Sequence, residues 1–260
     1  MLVDSHCHIH FPQFSGKVSE IVDNMLSTGV VHALCVSVDQ NDYEVLLETI
    51  EPFPCLSASF GIHPLHNAEL ISEEDLALMA QRSNRVVAIG ETGLDYYRVA
   101  DKGDISIQQE MFRRHISVAK KLKKPLIVHC RQAGSDVIRI LKEEGGDVVG
   151  GVMHCCTESE SFVEQAMEIS FFISYSGIVT FKNAREVQSV AKLIPLSRLL
   201  IETDSPYLAP IPFRGSTNQP AYVAHVAQKL SELKGIPLDE LANATTSNFF
   251  KLFNIVITED

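Results

Sequence analysis

Tryptophan is missing from the 260 residues, so aromatic packing falls to 13 phenylalanines and six tyrosines. None of the six cysteines forms a CxxC pair, which removes the zinc-ribbon and thioredoxin-like readings. No run of about 18 apolar residues exists, so no membrane span is expected. The amino terminus lacks a basic segment followed by an apolar one, so no secretory signal is expected, and the expected location is cytoplasmic. Basic residues are the minority, with 22 Lys and Arg against 33 Asp and Glu, a net charge of -11. That balance excludes a protein that coats nucleic acid, because covering many phosphates takes a basic surface. An enzyme gripping one phosphodiester at a chain end remains compatible with it.

With 45% hydrophobic and 21% charged residues the composition is that of a globular protein. Short apolar runs alternate with longer amphipathic ones, the pattern of parallel strands joined by crossover helices. Strands are expected at Leu2 to Asp4, Ala33 to Ser37, Leu56 to Gly61, Val86 to Glu91, Leu126 to His129, Gly151 to His154, Ser170 to Ser174 and Leu199 to Glu202. Helical spacing marks Ser19 to Ser27, Gln108 to Leu122, Ser135 to Glu143, Glu158 to Met167 and Ala184 to Leu193. Prolines open two further helices, Pro220 to Lys234 and Leu238 to Phe253, while the polar Tyr96 to Ser106 reads as a loop. Eight strands in a chain near the 250 residues typical of the fold predict a TIM (β/α)8 barrel, one α/β domain over residues 1–260 with an extra C-terminal helix. An open doubly wound sheet shares the alternation. The barrel is preferred because polar residues gather at the C-terminal ends of so many strands, where a barrel collects them around one mouth.

Foremost among these are His6 and His8, flanking Cys7 at the end of the first apolar run. On a strand they share a face roughly 6 to 7 Å apart, close enough to hold one metal ion. His63 follows strand three, Glu91 ends strand four, His129 and His154 end strands five and six, and Asp204 follows strand eight. Each has an ordinary explanation singly, as a solvated carboxylate or a half-buried histidine. Together at one end of one fold they point to metal, because buried polar groups without partners are costly.

Four imidazoles and two carboxylates exceed the three ligands of a single open site, so two divalent ions are expected. Glu91 would bridge them, with His6, His8 and Asp204 completing one and His129 and His154 the other. Asp204 would also orient the activated water and take its proton. His63 and Arg131 are assigned to the substrate, the arginine as a clamp on an anion, although a solvated arginine beside a strand end looks the same. His10, His32, His66, His115 and His225 lack the strand-end placement and read as structural, His10 least clearly. The cysteines read as reduced thiols, with Cys7, Cys130 and Cys155 turned by alternation toward the helices.

The segments DSHCHIH from Asp4, GIHP from Gly61, GETGLD from Gly90, HCR from His129 and ETDSPYLAP from Glu202 resemble those of the TatD family of metal-dependent hydrolases. PFRG from Pro212 and TTSNFFKLF from Thr245 also fit, so the likeness runs nearly the whole chain in order. The resemblance implies a two-metal barrel with ligands at His6, His8, Glu91, His129, His154 and Asp204. It also implies a deoxyribonuclease of 3′–5′ exonuclease type, often Mg-dependent, acting on DNA strand ends or single strands; no obligatory protein partner is evident in the sequence. Three segments depart from the pattern: Cys155-Cys156-Thr157-Glu158 replaces an aromatic and glycine turn, Gln132 an acidic residue, and Ser216-Thr217-Asn218-Gln219 a segment with a basic residue. These loops surround the mouth, so they bear on substrate more than on metal. Hydrolysis of an ester, amide or lactone, including an aminoacyl ester on transfer RNA, is the second reading, and a non-catalytic binding protein the third. Imidazole-rich ligands suit Zn, Mn, Co or Ni better than Mg, whereas the family likeness points to Mg.

Overall fold

The structure, a computed structural model, describes residues 1–66, 70–98 and 104–255. Eight parallel strands follow in chain order: β1 (Leu2–Cys7), β2 (Val30–Val36), β3 (Leu56–Phe60), β4 (Val86–Asp95), β5 (Leu126–Arg131), β6 (Gly151–Met153), β7 (Phe171–Tyr175) and β8 (Leu199–Ile201). Each pairs with the next, and the ring nearly closes where β1 meets the segment after β8. There Cys7 bridges Ser205, the Asp204 N–H donates to the His6 carbonyl at 2.9 Å, and the His8 N–H donates to the Ser205 carbonyl at 2.8 Å. Parallel neighbours require crossovers. Among the described residues these are α1 (Val18–Ser27), α2 (Gln40–Ile50), α3 (Glu73–Ala80), α4 (Ile105–Leu122), α5 (Gly134–Glu144), α6 (Glu160–Glu168) and α7 (Arg185–Leu193). Helices α8 (Val223–Lys234) and α9 (Leu238–Phe253) follow β8. This is the (β/α)8 barrel expected, and no helix of the described residues is long and apolar enough to cross a membrane.

Element starts follow local chemistry. Asp39 accepts from the Asn41 and Asp42 N–H groups and forms a capping box with Asp42, opening α2. Ser72, Asp104 and Ser159 cap α3, α4 and α6 in the same manner. The Asp104 cap corrects one expectation, since Ile105 and Ser106 belong to α4 rather than to a loop; residues 99–103 of that interval lie outside the described residues. The stretch expected as one helix from Pro220 begins as a 3-10 turn, Pro220–Tyr222, before α8.

Apolar residues from seven strands fill the barrel interior: Val3, Leu34, Val36, Ala88, Ile127, Val152, Phe172 and Leu200. Phe249 and Phe253 of α9 join them from the end where the strands begin. There the Thr246 hydroxyl donates to the Met1 carbonyl and the Asn248 amide to the Leu199 carbonyl. A second, larger apolar layer lies between strands and helices. The interior is thus packed at its N-terminal end, and the polar site lies at the other.

Two bulges aim that site. Val3 and Ser5 face inward, Ser5 meeting Ser174 across the barrel at 3.2 Å, so strict alternation would also turn Cys7 inward. Instead the step from Asp4 to Cys7 on β1 opposes the shorter step from Ala33 to Cys35 on β2. This extra residue places Cys7 in the outer layer and turns His6 and His8 inward. On β4 the step from Ile89 to Thr92 likewise opposes Leu126 to Val128, bringing Glu91 and later Asp95 to the interior although Ala88 also faces it. Glycine makes this possible. At Gly93 (φ +128°) a Cβ would lie 2.1 Å from the His129 carbonyl oxygen, and at Gly90 (φ +149°) 2.6 Å from that of Ile127.

Candidate metal centre

On β5, β6 and β8 unbroken alternation is enough. Ile127, Val152 and Leu200 point inward, so His129, His154 and Glu202 do so two residues later. Together with the bulged β1 and β4 they surround Glu91, which is 3% exposed. Its two oxygens face different partners. Oε2 lies 3.4 Å from His6 Nε2, while Oε1 lies 2.8 Å from His154 Nε2, 3.1 Å from His129 Nδ1 and 3.4 Å from His63 Nε2. On the Oε2 side, His6 Nε2 and His8 Nε2 are 3.2 Å apart, and Asp204 Oδ1 is 3.4 Å from His8 and 3.7 Å from His6.

The second ring nitrogens of His8, His154 and His129 are oriented from behind. His8 Nδ1 donates to the Val36 carbonyl at 2.8 Å, leaving Nε2 toward the site. His154 Nδ1 donates to Glu202 Oε1 at 3.3 Å, and His129 Nε2 lies 3.1 Å from Asp95 Oδ2. Asp204 adopts the left-handed conformation (φ +56°), held by its N–H bond to His6. Asp4, buried, accepts from the Thr203 N–H at 2.8 Å and from its hydroxyl at 2.5 Å, tying β1 to the segment carrying Asp204. Burial pushes the Asp4 carboxyl up to about 8, against the pull of those bonds.

The charges reinforce one another. Burial opposes ionisation of Glu91, yet the surrounding imidazoles, His154 and His63 first, hold it well below the carboxylate range. Asp204 is held down likewise, burial being outweighed by His8, His6 and His154. Burial disfavours charge on His154, His129 and His8, but carboxylates overcome it and raise all three: Glu91 and Glu202 for His154, Asp95 and Glu91 for His129, Asp204 for His8. Burial lowers His6, with the neighbouring His154 adding to it, and drives His63 down to about 3.

Among the described residues, three sets of donor atoms lie within 4.8 Å of one another: His6, His8 and Asp204; His63, Glu91 and His129; and His6, His154 and Glu202. His6 Nδ1 and Glu202 Oε2 are buried without a hydrogen-bond partner among the described residues, the mark of groups arranged for something other than each other. Mixed imidazole and carboxylate donors suit divalent metal ions, so these residues fit such ions. All six residues expected as ligands are brought together. His63, assigned to substrate, stands among the donors through its contact with Glu91. Arg131 is exposed at the rim at the end of β5, its guanidinium 4.0 Å over the Tyr97 ring.

Sequence reasoning passed over Glu202 and Asp95, although both lie inside the quoted segments ETDSPYLAP and GETGLD. Their signal was the phase of alternation, Glu202 sharing a face with Leu200 and Asp95 with Glu91. Cys155 corrects another expectation. β6 stops at Met153 and Cys155 takes φ +44°, so its thiol meets the Ser176 hydroxyl at 3.1 Å instead of the helices. Burial raises that thiol strongly, and the charges of Asp204 and Glu202 add to it; Cys156 enters the outer core in its place. The other histidines have local partners: His10 with Asp42 at 2.8 Å, His32 with Ser57 at 2.8 Å, His66 with Asp39 at 2.9 Å and His115 with the Met111 carbonyl at 2.7 Å. His225 packs edge-on against Phe213.

Buried carboxylates facing imidazoles at the C-terminal mouth of such a barrel define the class, a metal-dependent hydrolase. Comparison with known proteins agrees. The family described as TatD related DNase matches residues 3–254. An uncharacterized metal-dependent hydrolase of Bacillus subtilis, YabD, is 42% identical over 98% of this chain and all of its own length. One of Escherichia coli, YcfH, is 42% identical over 98% of this chain and 96% of its own. The crystal structure of the Escherichia coli TatD homologue YjjV superposes with a TM-score of 0.89 at 30% identity, covering 98% of each chain. The chain belongs to the TatD family.

Proposed function

We propose that this protein is a deoxyribonuclease of 3′–5′ exonuclease type, acting on single-stranded DNA or strand ends with two divalent ions, Mg, Mn or Zn, held around Glu91. The observation that carries this reading is the division of the Glu91 carboxylate, with Oε2 toward His6 and Oε1 toward His63, His129 and His154. A carboxylate so placed can serve two ions, one completed by His6, His8 and Asp204, the other by His129 and His154. When bound, such ions polarise the phosphodiester and bring a water's pKa toward neutrality.

The chain's own groups do the rest. Asp204, ionised and fixed by its backbone bond to His6, orients the attacking water and accepts its proton. Glu202 and Asp95 keep His154 and His129 in the ring orientations that present Nε2 and Nδ1 to Glu91. Arg131 holds a phosphate oxygen from the rim, and His63, kept neutral by burial, offers a ring nitrogen beside Glu91. The family described as TatD related DNase supports a nucleic-acid substrate.

Mononucleotide release from single-stranded DNA, with and without each ion, tests the proposal. Metal-dependent release from the 3′ end supports it. Turnover of an aminoacyl ester or lactone, with no release from DNA under any ion, would replace it by the ester-hydrolase reading.

A further inference from the structure

Aromatic rings bracket the donor cluster at both ends. Phe11 lies parallel to His8, ring centroids 4.6 Å apart and planes at 14°, and Tyr207 meets Phe11 edge-on at 6.3 Å. The same turn that presents Asp204 carries Tyr207, whose N–H donates to the Asp204 carbonyl at 3.0 Å. At the opposite end β4 runs on past Glu91 to Asp95, and Tyr97 follows beneath the guanidinium of Arg131. Arg131 is paired in register with Asp95, the residue that orients His129.

Tyr207 is 50% exposed and Tyr97 56% exposed, so neither ring is spent on the core. One exposed aromatic residue is ordinary; two at opposite ends of one buried polar cluster form an arrangement. In a chain of net charge -11, broad electrostatic attraction to a polynucleotide is absent. Base stacking on aromatic side chains is the other sequence-tolerant source of grip, and it needs bases that are not already stacked in a duplex.

We propose that Tyr207, backed by Phe11, and Tyr97, backed by Arg131, are stacking platforms for the nucleobases on the two sides of the cleaved phosphodiester. Such platforms recognise unstacked bases by their presence rather than by their identity. This inference rests on the nuclease reading and adds the specificity-determining residues to it.

The test compares kcat/KM on short oligothymidylates with kcat/KM on the same chains carrying a tetrahydrofuran abasic residue at either nucleotide flanking the cleaved bond. Wild type is expected to favour the base-bearing chain by roughly tenfold at each position. Tyr207→Ala is expected to bring that ratio close to one at one position and Tyr97→Ala at the other, chiefly through KM, with Tyr207→Trp restoring it. Ratios unchanged in both alanine variants, or a wild type indifferent to the missing base, would overturn the stacking role and leave the nuclease reading standing. Cleavage of neither chain by wild type with Mg, Mn or Zn would overturn both.

Discussion

The Asp95 carboxylate stands 3.1 Å from His129 Nε2, on the side of the ring away from Glu91, which meets Nδ1. His129 is thus held between two carboxylates, one at the centre and one behind it. Partners of this kind fix the ring and raise the basicity of its other nitrogen, and removing them typically costs 10- to 100-fold in metal affinity. Asp95→Asn is therefore expected to weaken divalent-ion binding by about that factor while leaving the circular dichroism spectrum intact. Calorimetric titration of the chelator-treated protein measures it, and an affinity equal to wild type would remove Asp95 from the centre.

On the proposed reading Asp204 is both a metal ligand and the proton acceptor. Asp204→Asn keeps the side-chain shape but cannot take a proton, so kcat on single-stranded DNA should fall by about 10² to 10⁴. The thermal midpoint should move far less than the rate. Retention of more than a tenth of the wild-type kcat would assign the base to another group.

Acid should loosen the fold through two buried histidines outside the donor cluster, His32 beside Ser57 and His115 beneath the Ile62 N–H. Burial drives both His32 and His115 down to about 4, with Arg85 adding to the effect at His32. Their folded values lie below the unfolded value, so the stability each contributes is complete above about pH 6.5 and is lost as pH falls toward 4. Each contributes at most on the order of 3 kcal/mol. Urea midpoints of chelator-treated protein should decline across that window, and His32→Gln should decline less steeply. An equal slope in the variant would show that His32 does not titrate there.

Gly93 permits the close approach of β4 to β5. Its φ of +128° is unfavourable for any other residue, and an added Cβ would strike the His129 carbonyl. Gly93→Ala should lower stability by roughly 2 kcal/mol or more and weaken metal binding in whatever protein still folds. A wild-type thermal midpoint and wild-type metal affinity together would contradict this.

Much of the barrel was legible in the sequence because its strands, buried on both faces, read as short apolar runs, and because donors end those runs. Alternation alone carries His129 and His154 inward from Ile127 and Val152. It could not place His6, His8 or Glu91 relative to Val3 and Ala88, since an extra residue in β1 and another in β4 reverse the phase without altering composition. Gly90 and Gly93 were the visible trace of the second bulge. Cys155 escaped for a related reason: the strand ends before it, and a left-handed residue obeys no alternation. Asp95 lay past the expected end of β4 at Glu91, where a strand that bends around a bulge continues but an apolar run does not.

Glu91 is the proposed link between the two halves of the centre, and elemental analysis of Glu91→Ala beside wild type tests that link most directly. Wild type loaded with Mn or Zn is expected to hold two ions per chain, and the variant, still folded by circular dichroism, to lose both at the same free-metal concentration. A folded variant that keeps two equivalents would contradict the account.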